Sequence, residues 1–149
     1  MDFPPAYTAN TLKGFCVCYF KNTDHDPESP PHYHITVPIS DDSYLLLCVI
    51  TSQMESRIKY YQRTNKRAVP CLVSVDKNDL HFLKKESIIE CNQPNLVRKK
   101  DFGRIVDPDQ KCKVIMRDIP SDIKEKIIKA INDSPIVKPF IKKLLRKSS

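Results

Sequence analysis

The sequence contains very little glycine and no tryptophan: 2 glycines and 0 tryptophans in 149 residues. Phosphate-binding loops and dinucleotide-binding turns need several glycines, because only a backbone without side chains can approach a phosphate closely. Neither a GxGxxG pattern nor a GxxxxGK[ST] pattern occurs. The composition therefore argues against the nucleotide-binding folds that depend on such loops.

Long apolar runs and paired metal-ligand motifs are also absent from the sequence. No apolar run approaches the roughly 18 residues that a membrane-spanning helix needs, and the N-terminal residues do not resemble a secretory signal peptide. No CxxC pair occurs, and most cysteines stand inside apolar segments, at positions 16, 18, 48, 71, 91 and 112. We therefore expect a cytoplasmic protein with reduced cysteines, no membrane contact, no metal and no cofactor.

Proline and positive charge, in contrast, are abundant. The 12 prolines mark many element boundaries, and 25 lysines and arginines against 18 acidic residues give a net charge of +7. This charge suggests a polyanionic partner, either a nucleic acid or an acidic protein, although a merely solubilising surface gives the same balance. Residues 120–149 are the most basic part, with eight lysines or arginines against three acidic residues.

Hydrophobic patterning predicts a mainly β protein with a C-terminal helix, built as a small antiparallel barrel. Residues 1–132 form the barrel with its closing helix at 121–131, and residues 133–149 form a basic amphipathic extension. Residues 1–12 are expected to be an irregular arm, and residues 53–68 either a short helix or a loop. The predicted strands lie at residues 14–20, 32–39, 44–50, 69–75, 80–82, 87–90 and 113–116, with a long loop at 21–31.

Alternating positions in these strands predict one shared core. Period-two spacing places every second side chain on the same face of a sheet. The residues predicted to meet in this core are Ile35, Val37, Leu45, Leu47, Val49, Val73 and either Ile88 or Ile89.

Two apolar strands end abruptly in small polar side chains. The run LLLCVI is followed by Thr51 and Ser52, and the run SIIEC is followed by Asn92 and Gln93. Strands that end in this way supply hydrogen-bonding groups to the rim of a sheet. We therefore expect a shallow polar cleft there, able to hold a phosphate group if Arg57 lies nearby.

The order and wording of these segments resemble the PemK/MazF-like toxins of bacterial toxin–antitoxin systems. HYHITVPIS, residues 32–40, is similar to a family strand usually written RPVLVLS, and YLLLCVITSQ, residues 44–53, is similar to LVLVxPITS. SIIECNQP, residues 87–94, is similar to GVVRCDQP, and residues 119–131 stand where the family has its C-terminal helix. The resemblance extends over residues 14–131.

The resemblance implies an SH3-like barrel that forms a homodimer and cleaves single-stranded RNA without a metal. It also implies an antitoxin partner whose acidic segment blocks the basic cleft. Thr51 and Ser52 correspond to family residues that contact the phosphate, Asn92 to the aspartate proposed as base, and Glu90 to an arginine proposed as acid. Because asparagine cannot titrate and glutamate reverses the charge, an inactive member that binds RNA or protein is the alternative hypothesis.

Other residues could supply the missing chemistry. His32 and His34 alternate on one strand and could act as acid and base, or they could be ordinary rim residues. Glu90 could itself be a base if its neighbours raised its pKa. For RNA binding we select Arg57, Gln93, His32, His34 and Tyr60, because aromatic and basic side chains together suit base stacking and phosphate contact. Tyr60 could equally pack on the barrel.

Overall fold

The computed structural model describes residues 5–23, 28–106 and 111–145, with side chains from residue 8 onward. The strands are β1 (Val17–Phe20), β2 (His32–Val37), β3 (Tyr44–Thr51), β4 (Leu72–Val75), β5 (Ser87–Glu90), β6 (Asn95–Arg98) and β7 (Lys113–Met116). The α-helices are α1 (Pro5–Thr11), α2 (Met54–Thr64), α3 (Phe102–Ile105), α4 (Ser121–Asp133) and α5 (Pro139–Leu144). Two 3-10 helices cover Lys66–Cys71 and Lys99–Asp101.

All strand pairings are antiparallel and build one sheet in the order β4-β5-β3-β2-β1-β7, with β6 also paired to β3. The mainly antiparallel β fold with a C-terminal helix is thus confirmed. The sheet is open, however: among the described residues, the edge strands β4 and β7 do not pair, so the predicted barrel is not closed. Helix α4 and the 3-10 helix at Lys66–Cys71 pack against β4.

Strands β5 and β6 both pair with β3, one after the other along its length, and a bulge separates them. β5 pairs with the C-terminal end of β3, and β6 pairs with its N-terminal half. On β3, only Cys48 and Val49 lie between these two pairings, whereas the five residues 90–94 lie between them on the other segment. The three extra residues leave the ladder, as in other bulges, and this segment carries the predicted Glu90, Asn92 and Gln93.

The sheet is buried on both faces, which corrects the predicted core. Leu46, Cys48 and Ile50 of β3 belong to the large cluster that contains Ile35, Val37, Val73 and Ile89. Leu45 and Leu47 belong instead to a second cluster on the opposite face, Ile88 to a third, and Val49 is only half-buried. The prediction placed Leu45, Leu47 and Val49 on the wrong face, because a strand that is apolar on both faces shows no informative alternation.

The helices and short segments differ from the sequence prediction in several places. Residues 5–11 form helix α1 rather than an irregular arm, residues 80–82 form a turn rather than a strand, and β6 was not predicted. Helix α2 decides between the two alternatives for residues 53–68. Within the predicted 21–31 loop, residues 24–27 lie outside the described part of the chain.

The C-terminal segment packs on the same core as the sheet. Ile123, Ile127 and Ile131 of α4 lie in the large cluster, and so do Val137 and Ile141 beyond the end of this helix. All six cysteines are free and buried. In the ranges that the structure describes, no helix has both the length and the apolar character that crossing a membrane requires.

Burial of both faces predicts that neighbouring positions of β3 are equally intolerant of truncation. Leu46→Ala and Leu47→Ala should each lower the free energy of unfolding by about 2–5 kcal/mol, because each leaves a cavity in a different cluster. Urea denaturation followed by circular dichroism measures this. Ser74→Ala, on an exposed position of β4, is the control and should change stability by less than about 0.5 kcal/mol. A tolerant Leu47 would contradict the two-sided core.

Candidate functional site

A polar cavity of about 270 Å³ opens on the face of the sheet that carries the two smaller apolar clusters. β2 and β3 form its floor, since His34 pairs directly with Val49 and side chains at paired positions share a face. Helix α2 supplies Arg57, the 90–94 bulge supplies Glu90 and Gln93, and two asparagines complete the polar lining. We call it the histidine cavity; its lining residues are Asn22, His32, His34, Leu47, Val49, Thr51, Arg57, Glu90, Gln93 and Asn95.

Six of the nine residues selected from the sequence meet in the histidine cavity. They come from four separate segments, so only the fold brings them together. Ser52, Asn92 and Tyr60 do not line it. The six residues are His32, His34, Thr51, Arg57, Glu90 and Gln93.

The carboxylate of Glu90 is the best-anchored group in the cavity wall. Its Oε2 atom accepts hydrogen bonds from Arg57 Nη2 at 2.8 Å, Arg57 Nε at 3.1 Å and the Tyr61 hydroxyl at 3.0 Å. Its Oε1 atom accepts from the backbone N–H of Asn92 at 3.0 Å. The Glu90 side chain is 4% exposed, and a buried charge this well satisfied holds structure together. Four donors leave this carboxylate poorly suited to act as a general base.

Helix α2 places Arg57 and Tyr61 on the same face, because residues four apart in a helix are neighbours. Desolvation lowers the pKa of Arg57, but the hydrogen bond and charge of Glu90 outweigh it and raise the pKa overall. Burial, with the nearby Glu90 charge, raises the pKa of Tyr61 well above its ordinary value. At neutral pH the guanidinium is therefore charged and the phenol neutral, and the 30% exposed Arg57 side chain still faces the cavity.

This pair changes the meaning of the substitution at position 90. The resemblance implies an arginine there, and Glu90 alone would repel a phosphate. The structure places the Arg57 guanidinium 2.8 Å from the Glu90 carboxylate, so a guanidinium is present at this place but comes from helix α2. The pair is formally neutral, which removes the repulsion that Glu90 alone would cause.

Asn92 lies behind the cavity wall and holds two distant segments together. Its Nδ2 donates to the Ala68 carbonyl at 2.9 Å, and its Oδ1 accepts from the Ser134 hydroxyl at 2.7 Å. The Ser134 Oγ also accepts the backbone N–H groups of Ile136 and Val137. Asn92 is buried, and its amide is occupied by these contacts. Its position fits an anchor for the C-terminal segment better than a group that meets a substrate.

The two histidines differ in accessibility. His34 is buried, with its ring stacked on Phe20 at a centroid distance of 4.0 Å. His32, two residues earlier on the same face of β2, is half-buried at the mouth of the cavity. Both imidazoles border the same space as Arg57, but only His32 is accessible from outside.

Thr51, Ser52 and Tyr60 lie around the rim. Thr51 Oγ1 accepts a hydrogen bond from the Gln53 N–H at 3.2 Å, which leaves its hydroxyl hydrogen available for donation. Ser52 is exposed and lines two neighbouring cavities instead. Tyr60 is 38% exposed, and the Arg57 guanidinium lies 5.1 Å from its ring centroid. It is therefore close to the site without lining it.

The site residues selected from the sequence do not include Tyr61, Ser134, Asn22 or Asn95. Tyr61 could have been found from its spacing of four residues after Arg57, which puts both on one helix face. Ser134, Asn22 and Asn95 carried no such signal, because their roles depend on segments far apart in sequence. In the described ranges, no group of three or more His, Cys, Asp or Glu residues could hold a metal ion.

The comparison with known proteins adds no relative. No protein-family model matches the chain, and no curated protein matches it significantly in sequence.

The buried ion pair predicts an asymmetric response to mutation. Arg57→Ala should lower the free energy of unfolding by about 3 kcal/mol, since it leaves the Glu90 carboxylate buried without its cation. The double variant with Arg57→Met and Glu90→Gln should lower the free energy of unfolding less than Arg57→Ala does, because it leaves no buried charge. Thermal and urea denaturation measure both.

The control for this prediction is the exposed pair of Lys59 and Glu55 on the same helix. Lys59→Ala should cost less than about 1 kcal/mol, because exposed ion pairs contribute little. Equal losses for Arg57→Ala and Lys59→Ala would contradict a structural role for the buried pair.

Proposed function

We propose that this protein is a toxin-like, metal-independent endoribonuclease of a toxin–antitoxin system, acting on single-stranded RNA. The observation that carries the proposal is the histidine cavity, which gathers two histidines, an arginine and a threonine in one space. In the same proposal, the open antiparallel sheet is a variant of the SH3-like barrel of PemK/MazF-like proteins. The net charge of +7 supports a polyanionic substrate.

The proposed reaction is attack of the ribose 2′-oxygen on the neighbouring phosphorus. His32, the accessible imidazole, takes the 2′-hydroxyl proton, while His34 donates a proton to the departing 5′-oxygen. Residues two apart in a strand are separated by about 6.6 Å, so the two rings can lie on different sides of one phosphate. The products are a 2′,3′-cyclic phosphate and a free 5′-hydroxyl.

Arg57, Thr51 and Gln93 are the proposed donors to the phosphate during this step. Charge-assisted hydrogen bonds from a guanidinium stabilise the negative charge that develops on the phosphate oxygens. Glu90 then holds Arg57 in position, and Tyr61 limits the movement of both. This assignment gives Glu90 and Asn92 supporting roles and places the proton transfers on the histidines.

A second candidate function is an inactive member of the same class that binds RNA or a protein partner. The observation that favours it is the mutual neutralisation of Arg57 and Glu90, which lowers the attraction of the cavity for a phosphate. The burial of Asn92 in structural hydrogen bonds points the same way. In either case we propose cytoplasmic action and an antitoxin partner whose acidic segment covers the basic surface.

Incubation with a short labelled single-stranded RNA in EDTA tests the proposal. We expect cleavage that leaves a 2′,3′-cyclic phosphate, and binding that weakens steeply with salt because neutralised phosphates release counterions. His32→Gln should lower the cleavage rate by about 10²- to 10⁴-fold, the usual contribution of a general acid or base. His81→Gln is the control, since His81 is exposed and lines neither the histidine cavity nor its neighbours. Binding without cleavage would favour the second candidate.

We also propose a symmetric homodimer, with α5 and the preceding turn at the contact. Ile136 and Phe140 are large apolar side chains that are 37% and 53% exposed, and dimerisation would cover them. Static light scattering at micromolar concentration should give twice the 17.2 kDa of one chain. Phe140→Glu should shift the mass toward one chain, whereas Lys77→Glu, an exposed charge elsewhere, should not. A wild-type monomer would contradict the dimer.

A further inference from the structure

A second cavity, of about 370 Å³, lies at the same rim of the sheet and is lined by aromatic side chains. We call it the aromatic cavity; its lining includes Tyr19, Tyr33 and Phe82 together with Lys84 and Lys85. Tyr19 and Tyr33 are paired neighbours on β1 and β2, and their ring centroids lie 4.7 Å apart. Phe82, from the turn before β5, packs on Tyr33 with a centroid distance of 4.5 Å.

The aromatic cavity and the histidine cavity share two lining residues. His32 and Thr51 line both spaces, because each stands at the end of its strand, where the two faces of the sheet meet. An RNA strand with a phosphate in the histidine cavity would therefore have the aromatic cavity next to it, on the other side of His32 and Thr51.

We propose that the aromatic cavity holds one unpaired nucleobase of single-stranded RNA, stacked on the rings of Tyr33 and Phe82. The base belongs to the nucleotide next to the phosphate in the histidine cavity, so this inference rests on the proposed function. Aromatic faces bind bases of any sequence, since every base has a π-face. The site therefore fixes the position of the strand more than the identity of the base.

Three features of the cavity fit a nucleobase. Tyr19, Tyr33 and Phe82 are each only half-buried, and all three line the cavity. Lys84 and Lys85 are exposed at the edge and supply positive charge for the phosphates that flank a base. The volume lies within the range of about 300–1,000 Å³ that is usual for small-ligand pockets.

The positive charge of Lys84 and Lys85 favours a nucleotide over an apolar protein segment as the occupant of the aromatic cavity. A segment that only covered the rings would gain nothing from the two lysines, whereas a nucleotide combines an aromatic base with an anionic phosphate. The two lining residues that it shares with the histidine cavity add to the same preference.

Fluorescence anisotropy with a labelled single-stranded RNA at low salt in EDTA tests the proposal. Phe82→Leu keeps an apolar side chain but removes the aromatic face, and it should weaken binding by about 5- to 100-fold. An RNA with one abasic position next to the bound phosphate should lose a similar factor with the wild-type protein. Combining the abasic RNA with Phe82→Leu should give little further loss, because both changes remove the same contact.

Tyr44→Leu is the matched control, since Tyr44 is also half-buried against the large cluster but stands at the opposite end of β3. It should bind RNA as the wild type does. If Phe82→Leu does not fold, the surface variant Lys84→Gln with Lys85→Gln serves instead and should flatten the dependence of binding on salt.

The outcomes separate this inference from the proposed function. RNA binding that is unchanged by Phe82→Leu and by the abasic position would overturn the base site while leaving the histidine cavity as an RNA site. Wild-type protein that fails to bind RNA at low salt would overturn both. An acidic peptide with one aromatic residue that binds in a Phe82-dependent way, where RNA does not, would assign the aromatic cavity to a protein partner.

Discussion

The arrangement of the site depends on the ion pair and hydrogen bonds of the buried Glu90 carboxylate. It ends strand β5 where the chain leaves the ladder, and it is held there by Arg57 and Tyr61 from helix α2 and by the backbone of Asn92. Burying a charged group costs free energy unless strong hydrogen-bond donors replace the water around it, and four donors surround the Glu90 carboxylate. Helix α2, the sheet and the bulge are consequently fixed relative to one another, and the histidine cavity lies between them.

The bulge at residues 90–94 extends this constraint to the C-terminal segment. Asn92 bonds to the carbonyl of Ala68 on one side and to the hydroxyl of Ser134 on the other, where α4 ends. The Ser134 carbonyl in turn accepts a hydrogen bond from Lys142 at 2.7 Å. Some polar residues that suggest catalysis in the sequence thus connect segments instead. Of the residues selected from the sequence, those that line the histidine cavity and are not buried are His32, Thr51, Arg57 and Gln93.

Part of the site could be predicted because its residues lie at strand ends. Thr51, His32 and Gln93 follow or begin apolar runs, and polar side chains at such positions meet at the rim of an antiparallel sheet. Arg57 was selected for its charge beside the strand end. The contact between Arg57 and Glu90 could not be predicted, since 33 positions separate them and local spacing carries no information about the approach of α2 to β5. The same holds for Ser134 and Asn92.

The fold class and the position of most strands follow from the sequence, because β-branched runs bounded by proline and turn residues favour strands. The tertiary structure decided which face each residue occupies and which charges are paired. Both faces of β3 are apolar, so the alternation of side chains does not show which face Leu46 or Leu47 occupies. In the fold, Leu46 packs in the large cluster and Leu47 in the cluster on the opposite face. Considered alone, the Glu90 carboxylate would repel a phosphate. In the fold, the Arg57 guanidinium from helix α2 neutralises it, because a buried carboxylate is costly unless a counter-charge or strong donors accompany it.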